Sequence, residues 1–321
     1  MTPLFDLYIA CCTDDGGIAH VVLCDDGTLT KADFAPAPSP LWLVRENRRL
    51  HTLLFDPSKT GESGYTAFAL GDDGALGQAE KTVSTGGAEA CHLSAVGETV
   101  YVANYQSGSV AKLTPDGRFV RRHESDGVTP HTHYIAPSPD GKFLLCTDLG
   151  TDTVFTYDFD LNPLYAAKTP TGSGPRHLAY SPDGKFVYCV NECGNTVTVF
   201  SYENGRLTPL QTVNALPFDH GESYAAAVRF RDGRLYVSHR GADCITVFSA
   251  DGAQLTFEET VSCGGNWPRD FDLFGEFLVC TNEKSDSVTV LRKRAGTWAV
   301  CSSLSLPRPL CVAGKEWLRG I

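Results

Sequence analysis

The sequence predicts an all-β fold, a seven-bladed β-propeller with four-stranded antiparallel blades, formed as a single domain by residues 1–321. Two repeated patterns and the composition indicate this fold. The second strand of a repeating unit is recognisable in five copies, whose anchoring residues are spaced by 44, 43, 48 and 43 positions. A period of this size is typical of propeller blades, and the chain has room for seven such units. The anchors are Asn104, Asp148, Asn191, His239 and Asn282.

The composition and the turns support the same fold. The chain contains 31 Gly, 18 Pro and one Met, and 10% of its residues are aromatic, which favours short strands and tight turns over helices. The units also share a turn sequence, in which Pro presets φ at the second position and Gly tolerates a positive φ at the fourth. We interpret these turns as hairpins within a blade: Thr114-Pro115-Asp116-Gly117, Ser138-Pro139-Asp140-Gly141, Ser181-Pro182-Asp183-Gly184 and Arg231-Asp232-Gly233.

The two ends of the chain predict how the ring closes. Two weaker copies of the unit lie at 7–29 and 41–76, and the second is interrupted by an exposed loop at 56–64. The N-terminus begins with what corresponds to a second strand, whereas residues 306–312 resemble a first strand. We therefore expect the C-terminal segment to form the inner strand of the first blade. The last residues, 317–321, are expected to form a short covering tail.

The charge excludes some classes of partner. A net charge of −11 makes nucleic acids and anionic membrane surfaces poor partners, because phosphate contacts need clustered Lys and Arg. No apolar run reaches the ~18 residues that a membrane helix requires, and the first residues lack the basic segment of a secretory signal. We therefore expect a cytoplasmic protein. The sequence leaves the oligomeric state open.

The cysteines are expected to be free thiols in the core. Of the twelve, Cys146, Cys189 and Cys280 occupy the same point of three units, where Val102 and Val237 stand in two others. A position that accepts both residue types is small, apolar and buried. Free core thiols fit a reducing compartment. No CxxC pair is present, which argues against a zinc knuckle or a thioredoxin-type site.

Strand direction predicts where polar groups converge. The first strand of each propeller blade lines the central channel, and its neighbour runs antiparallel. A residue that begins the first strand and one that ends the second therefore lie at the same channel mouth, with the Pro-Asp-Gly turns on the opposite face. This rule brings together His92 and Asn104, His131, His133 and Asp148, Arg176, His177 and Glu192, His239 and Arg240, and Arg269, Asp270 and Glu283. Such a set of imidazoles, guanidiniums and carboxylates could form an acid/base and anion-binding site.

Several of these residues also have structural interpretations. Asn104, Asp148 and the equivalent Asn residues stand where side chains commonly cap turns. Glu192 could simply pair with Arg176, and His92 could be a core residue. His131 and His133 are one residue apart, so on a strand both side chains share a face. With Asp148 or Glu192 these two could hold a divalent ion, but no fixed ligand spacing supports it and no metal site is predicted.

Four segments resemble the lactonase family of seven-bladed β-propellers, which includes the bacterial propeller-type 6-phosphogluconolactonase and the fungal carboxy-cis,cis-muconate cyclase. The resemblance extends over about residues 90–312. It implies a catalytic set at the channel mouth, which falls on His131 and His133, Arg176, Glu192 and Arg240, with Arg269 as a further family-like position. The segments are HTHYIAPSPDGKFLLCTDLGTDTVFTY, GSGPRHLAYSPDGKFVYCVNECGNTVTVF, LYVSHRGADCITVF and GNWPRDF.

The resemblance implies hydrolysis of a sugar lactone, most specifically 6-phospho-D-glucono-1,5-lactone in the pentose phosphate pathway, with no cofactor. Lactone hydrolysis needs a base, an oxyanion stabiliser and, for an anionic substrate, a further cation. Glu192 or the two histidines could serve as the base, Arg176 would stabilise the oxyanion, and Arg240 or Arg269 would hold the phosphate. Further substrate contacts are expected from His177, His239, Asp148 and Asn104.

Two alternatives remain open from the sequence. A lactonizing cycloisomerase would use the same arginines for the carboxylates of a diene, and a propeller without catalysis would use the polar mouth to bind a ligand or partner. The chain also departs from the family pattern at two places. Ala225-Ala226-Ala227 stand where relatives tend to carry an acidic residue, and Cys11-Cys12 replace a glycine-containing start. Either change could alter the choice of substrate.

Overall fold

The computed structural model describes residues 1–56, 58–124, 127–219 and 221–316, so the tail expected at 317–321 lies outside the described residues. The strands form seven separate antiparallel sheets, arranged as the seven blades of a propeller. The predicted fold class is confirmed. Blades 1 to 3 contain β1 (Pro3–Cys11), β2 (Gly17–Cys24), β3 (Leu29–Pro36), β4 (Pro40–Glu46), β5 (Arg49–Leu54), β6 (Gly64–Leu70), β7 (Leu76–Ala79), β8 (Val83–Ser84), β9 (Ala90–Val96), β10 (Thr99–Asn104), β11 (Ser109–Thr114) and β12 (Gly117–Arg122).

Blades 4 to 7 follow the same plan, and a 3-10 turn at Glu283–Ser285 follows the second strand of blade 7. Their strands are β13 (Thr132–Pro137), β14 (Leu144–Asp148), β15 (Thr153–Tyr157), β16 (Pro163–Lys168), β17 (Pro175–Tyr180), β18 (Phe186–Asn191), β19 (Thr196–Glu203), β20 (Arg206–Asn214), β21 (Tyr224–Arg231), β22 (Arg234–Arg240), β23 (Cys244–Asp251), β24 (Gln254–Ser262), β25 (Pro268–Phe274), β26 (Phe277–Asn282), β27 (Ser287–Arg294) and β28 (Thr297–Ser305). The final strand, β29 (Pro309–Glu316), belongs to blade 1.

The ring closes between the two ends of the chain, as expected. β29 pairs antiparallel with β1, from Cys11 opposite Pro309 to Phe5 opposite Glu316, so blade 1 has the strand order β29-β1-β2-β3. Cys311 packs into the apolar core between blades 1 and 2, and Val312 into the core between blades 7 and 1. Closure therefore combines a hydrogen-bonded ladder with burial of apolar side chains on both faces of β29.

An apolar cluster fills the space between each pair of adjacent blades, giving seven clusters around the ring. Cys146, Cys189 and Cys280 lie in three of these clusters and are fully buried, as are Val102 and Val237 in two others. All twelve cysteines are free. The interpretation of the cysteine position as a small core position is confirmed. Among the described residues, no helix is long and apolar enough to cross a membrane.

Every inner strand carries a β-bulge close to its beginning. In β17, Pro175 pairs with Asn191 and His177 with Val190, so the intervening residue Arg176 has no partner of its own. An unpaired residue interrupts the alternation of the strand and re-aims its side chain. In six blades the bulged residue is the second of the strand, and in blade 6 the irregularity lies between Ala225 and Val228. The six residues are Leu310, Leu41, Cys91, His133, Arg176 and Arg269.

Removing β29 should open the ring. We expect a chain that ends at Arg308 to lose at least about 5 kcal/mol of unfolding free energy, because a fully buried apolar side chain contributes roughly 1.5–3 kcal/mol. Leu310, Cys311 and Val312, which are 3%, 1% and 4% exposed, would all be lost. Urea unfolding measures the difference, with a chain that ends at Glu316 as the control. Equal stability of the two truncated chains would contradict closure by β29.

Candidate functional site

The mouth of the channel at which the inner strands begin holds a cavity of about 520 Å³. Five of the six bulged side chains reach its wall, and the sixth, Arg176, contacts a wall residue from behind. The lining residues are Cys12, Asp14, Ser39, Leu41, Phe55, Glu89, Ala90, Cys91, Tyr105, His133, Glu192, Arg240, Arg269, Arg308 and Leu310. The bulges thus decide much of what the cavity presents to a ligand.

A repeated hydrogen bond builds this mouth. In six blades, the residue after the second strand donates its backbone N–H to the carbonyl of the residue before the inner strand, as Glu192 does to Gly174 at 2.7 Å. Several residues before the inner strands have positive φ although they are not glycine, including Glu89 at 51° and Arg308 at 40°. Such backbone conformations are costly and are typically retained at functional sites. They hold the flanking side chains at the cavity wall.

Glu192 is the carboxylate at the centre of the site. Its Oε2 lies 2.8 Å from Nε of Arg176, and its Oε1 lies 3.0 Å from Nη2 of Arg240. The expected proximity of Arg176 and Glu192 within blade 5 is therefore confirmed. The Arg176 side chain is only 2% exposed, whereas Glu192 retains 19% exposure and lines the cavity. Glu192 is thus accessible to a ligand, and Arg176 supports it from the protein side.

The charge state of Glu192 follows from two opposing effects on its pKa. Burial raises the pKa of Glu192, but the guanidiniums of Arg240 and Arg176 outweigh that effect and lower the pKa below its usual 4.5. Burial and the neighbouring Arg240 lower the pKa of Arg176 to about 9. Both groups therefore remain charged at neutral pH. The site presents an ionised carboxylate between two guanidiniums, of which Arg240 lines the cavity.

Arg240 is held in place by aromatic rings. The centre of its guanidinium lies 5.8 Å from the ring centroids of both Tyr224 and Trp267, within the range of cation–π attraction. Trp267 has a φ of 69°, and its backbone N–H donates to Oδ1 of Asp243 at 2.7 Å. The ammonium group of Lys284 also lies over the face of the Trp267 ring. These contacts restrain Arg240 beside Glu192.

A second ion-pair group lies in blades 7 and 1. Arg269 Nη1 lies 3.5 Å from Glu283, and Arg308 Nη2 lies 3.2 Å from the same carboxylate. Both arginines line the cavity. Sequence reasoning identified Arg269 and Glu283 but treated Arg308 only as part of the closing segment. Its position directly before an inner strand, which places it at the mouth by the same rule as the other candidates, could have revealed it.

His133, His177 and His92 lie deeper in the channel, and their imidazoles are neutral. His133 lines the cavity, while His177 and His92 lie beneath it, where they pack with Trp42 and Tyr134 into an aromatic plug of the channel. Burial, reinforced by nearby arginines, lowers the pKa of His133 and of His177 well below 6.5 and that of His92 to about 3. Nδ1 of His133 has no hydrogen-bond partner among the described residues. His133 therefore presents a neutral imidazole at the cavity wall, while its Nδ1 is buried and unpaired among these residues.

His131 stands at the edge of the site. Its ring stacks on Tyr105 at 4.6 Å, and Tyr105 also touches His133 edge-on at 5.7 Å. The backbone N–H of His131 donates to Asp148 at 2.8 Å. Tyr105 and His133 belong to the cavity wall. His131 is therefore not part of the cavity wall, and its ring contacts the wall residue Tyr105.

The structure does not bring Asn104, Asp148 and His239 to the cavity wall, so the prediction that they contact substrate is not retained. Each is fully buried and its side chain bonds to the fold. Asn104 donates to Ser109, and His239 lies beside Asn195 and Thr246. Asp148 accepts from the backbone N–H of His131 and of Thr151, and lies 2.6 Å from His123. For Asn104 and Asp148 these are the turn-capping roles that the sequence also allowed.

His177 likewise lies below the cavity wall. Nε2 of its ring lies 3.3 Å from Nη1 of Arg176. In the described part of the chain, no group of three or more His, Cys, Asp or Glu side chains could hold a metal ion. Asp148, one ligand of the hypothetical metal set, is directed to His123 instead.

The cavity wall is chemically asymmetric. A cationic wall, formed by Arg240, Arg269 and Arg308, occupies blades 6, 7 and 1, next to Glu192 in blade 5. An apolar wall, formed by Leu310, Leu41 and Phe55, occupies blades 1 and 2, and Phe55 is 46% exposed. Such a cavity fits a small ligand that has one apolar face and one or more oxyanions. An ionised carboxylate, a neutral imidazole and fixed guanidiniums also supply the groups needed for acid/base chemistry at a carbonyl.

Comparisons with known proteins agree with this fold. A family model described as "Lactonase, 7-bladed beta-propeller" matches residues 6–313. An uncharacterised protein of Staphylococcus aureus is 33% identical over 298 residues, which cover 82% of this chain and 84% of that protein. The periplasmic gluconolactonase PpgL of Pseudomonas aeruginosa superposes with a TM-score of 0.87 at 29% identity, covering 97% of this chain and 99% of that one.

A Bacteroides fragilis protein proposed to be a 6-phosphogluconolactonase also superposes with a TM-score of 0.87. The two chains are 25% identical, and the superposition covers 98% of each. The similarity therefore extends over the whole ring rather than over a few blades.

The assignment of Asp148 to the fold can be tested through pH. Hydrogen bonds, above all from His123, outweigh burial and lower the pKa of Asp148 below 3.8. A lowered folded pKa stabilises the protein above the unfolded pKa, and this contribution is lost as the pH falls through the folded pKa. We expect Asp148→Asn to lower the unfolding free energy by about 1–3 kcal/mol at neutral pH. The deficit should begin to shrink below about pH 3.8, where the carboxyl of the unfolded chain takes up a proton, and should be smallest below the still lower pKa of the folded protein.

Urea unfolding as a function of pH measures this effect. Asp116→Asn, on an exposed turn, is the matched control and should change the stability little. A deficit for Asp148→Asn that is absent at neutral pH would contradict the structural role.

Proposed function

The chain belongs to the lactonase family of seven-bladed β-propellers, and from this premise we propose that it hydrolyses a sugar lactone. The observation that carries the proposal is the environment of Glu192. An ionised carboxylate at the cavity wall, between Arg176 and Arg240, combines a proton acceptor with a cation that can meet a developing oxyanion.

In the proposed reaction, water attacks the carbonyl carbon of the lactone. Glu192 accepts a proton from the water as the new C–O bond forms, and the carbonyl oxygen becomes an oxyanion. The tetrahedral intermediate then collapses, the bond from the carbonyl carbon to the ring oxygen breaks, and Glu192 returns its proton to that oxygen. The product is an open-chain hydroxy acid. The lowered pKa of Glu192 limits its strength as a base but makes its protonated form an effective acid for the ring oxygen.

We assign the oxyanion to Arg240 rather than to Arg176. Arg240 lines the cavity, whereas Arg176 is buried and donates from Nη1 to the carbonyl of Ala226 at 2.8 Å. Arg176 then acts by fixing the position and charge of Glu192. His133, neutral and at the cavity wall, is suited to orient the attacking water. His131 has an indirect role through Tyr105.

The finer proposal is that the substrate is 6-phospho-D-glucono-1,5-lactone, which would place the protein in the pentose phosphate pathway. The cationic wall supports a substrate that carries a negative charge in addition to its lactone. The names of the Pseudomonas and Bacteroides proteins point to gluconolactones with and without phosphate. We also propose a cytoplasmic location, because twelve free thiols fit a reducing compartment.

A direct assay tests the function and its residues. Purified protein is given 6-phosphogluconolactone or unphosphorylated gluconolactone, and acid release is followed in a pH-stat against the spontaneous rate. We expect Glu192→Gln to lower kcat by about 10²–10⁴, since general acid–base groups contribute factors of this size. Arg240→Gln should lower kcat by about 10²–10³ as an oxyanion-stabilising donor is lost.

Arg234→Gln is the control for these variants, because Arg234 begins β22 at the opposite end of the blade and pairs with Glu258. It should retain the wild-type rate. If wild-type protein accelerates neither lactone above the spontaneous rate, lactone hydrolysis of these substrates is refuted, and ligand binding without catalysis is favoured. An unchanged rate in Glu192→Gln would leave the activity in place but refute the assigned base.

The proposed chemistry needs no metal, because charge stabilisation comes from guanidiniums. We therefore expect EDTA treatment followed by gel filtration to leave the hydrolysis rate unchanged within about twofold. Restoration of a lost rate by a divalent ion would show instead that a metal takes part.

A further inference from the structure

The group formed by Arg269, Glu283 and Arg308 has a clear charge imbalance. Two guanidiniums share one carboxylate, at 3.5 Å and 3.2 Å, which leaves one net positive charge. The carboxylate is 11% exposed and is not part of the cavity wall, whereas both arginines are. Each guanidinium has five N–H donors, and one carboxylate cannot occupy them all. The unused donors belong to two side chains at the cavity wall.

The backbone fixes Arg308 independently of its side chain. Its N–H donates to Asp286 Oδ1 at 2.8 Å, and its carbonyl accepts from the N–H of Cys12 at 3.0 Å. Its φ of 40° is unfavourable for a residue other than glycine. The side chain remains 55% exposed, which leaves it free to approach a ligand. The ring closure therefore presents a guanidinium at the mouth, and β29 begins at the next residue.

This group lies in other blades than the proposed reaction centre, although Arg269 is close enough to help lower the pKa of Glu192. Glu192 and Arg240 belong to blades 5 and 6, and Arg269 and Arg308 to blades 7 and 1. A substrate whose lactone carbonyl meets Arg240 could extend an oxyanion on its far end toward Arg269 and Arg308. Two guanidiniums can bind the oxygens of one phosphate with several charge-assisted hydrogen bonds.

We propose that Arg269 and Arg308 form a subsite for the remote oxyanion of the substrate and that Arg308 makes the enzyme prefer phosphorylated over unphosphorylated sugar lactones. This inference rests on the proposed lactonase function. The chemistry it recognises is a multivalent oxyanion. A phosphate ester and a second carboxylate both present one, and we assign the subsite to the phosphate ester because it carries more charge and more acceptor oxygens at neutral pH.

A binding experiment tests the subsite without relying on catalysis. Titration calorimetry at low salt compares 6-phosphogluconate, gluconate and the dicarboxylate glucarate as ligands of the full chain. We expect wild-type protein to bind 6-phosphogluconate at least about 10-fold more tightly than gluconate, and Arg308→Gln to lose most of that preference. Glucarate should bind more weakly than 6-phosphogluconate. Arg308→Lys keeps the positive charge but loses the planar, bidentate geometry of the guanidinium, so it should retain part of the preference.

Arg234→Gln serves again as the matched control, since it removes one charge far from the cavity and should retain the full preference. Thermal unfolding of each variant verifies that the fold is intact, which is expected because the Arg308 side chain is largely exposed. The ratio of the two affinities is the decisive quantity. A loss of stability alone would lower the affinity for both ligands alike and leave the ratio of the two affinities unchanged.

Kinetics separate the failure of this inference from the failure of the proposed function. Arg308→Gln should raise KM for the phosphorylated lactone by about 10-fold and lower the ratio of kcat/KM for the phosphorylated over the unphosphorylated lactone by a similar factor, whereas Arg234→Gln should keep the wild-type ratio. The subsite is refuted if Arg308→Gln keeps the wild-type preference, if wild type has none, or if glucarate binds as tightly as 6-phosphogluconate. Hydrolysis of unphosphorylated lactone by wild type would still support the proposed function in each of these cases.

Discussion

The β-bulge near the beginning of each inner strand is the constraint on which the site depends. A regular strand alternates its side chains, so the second residue would point away from the position that the first and third share. The bulge adds one residue and turns it to the channel. Arg176, His133 and Arg269 reach the site in this way, and so do the apolar side chains of Leu41 and Leu310. One backbone device, repeated around the ring, thus presents different chemistry from each blade.

The electrostatics around Glu192 follow from pairing one carboxylate with two guanidiniums. Burial alone would favour a neutral Glu192, yet two guanidiniums lower its pKa, while the same arginines and burial keep His133 neutral. The channel mouth of this acidic protein, whose net charge is −11, thus carries three guanidiniums on one wall, while the carboxylates of Asp14, Glu89 and Glu192 also line the cavity. The aromatic plug beneath, which includes Trp42 and His177, closes the channel below the cavity. The cavity consequently opens at one face and can exclude part of the solvent around a bound ligand.

The ring closure and the site are physically connected. Asp286 binds the N–H of Arg308 just before β29, and the carboxylate of Glu283, three residues earlier in the chain, pairs with the side chain of the same arginine. The segment that completes blade 1 therefore also completes the cationic wall. The residue that precedes the closing strand thus contributes a guanidinium to the cavity wall.

The sequence by itself determined the blade count, the closing strand, the core position of Cys146 and the proximity of Arg176 to Glu192, because these follow from strand period and direction, which are local properties. The tertiary structure decided which polar groups at the mouth face the cavity. Asn104 and Asp148 end second strands and His239 stands one residue before the end of another, yet all three are buried and bond to the fold. A bulge or a positive φ shifts a side chain by one position, and such shifts depend on packing across the ring. The strand rule applied to the predicted closing strand could also have placed Arg308 at the mouth, but its pairing with Glu283 depends on side-chain geometry that only the tertiary structure supplies.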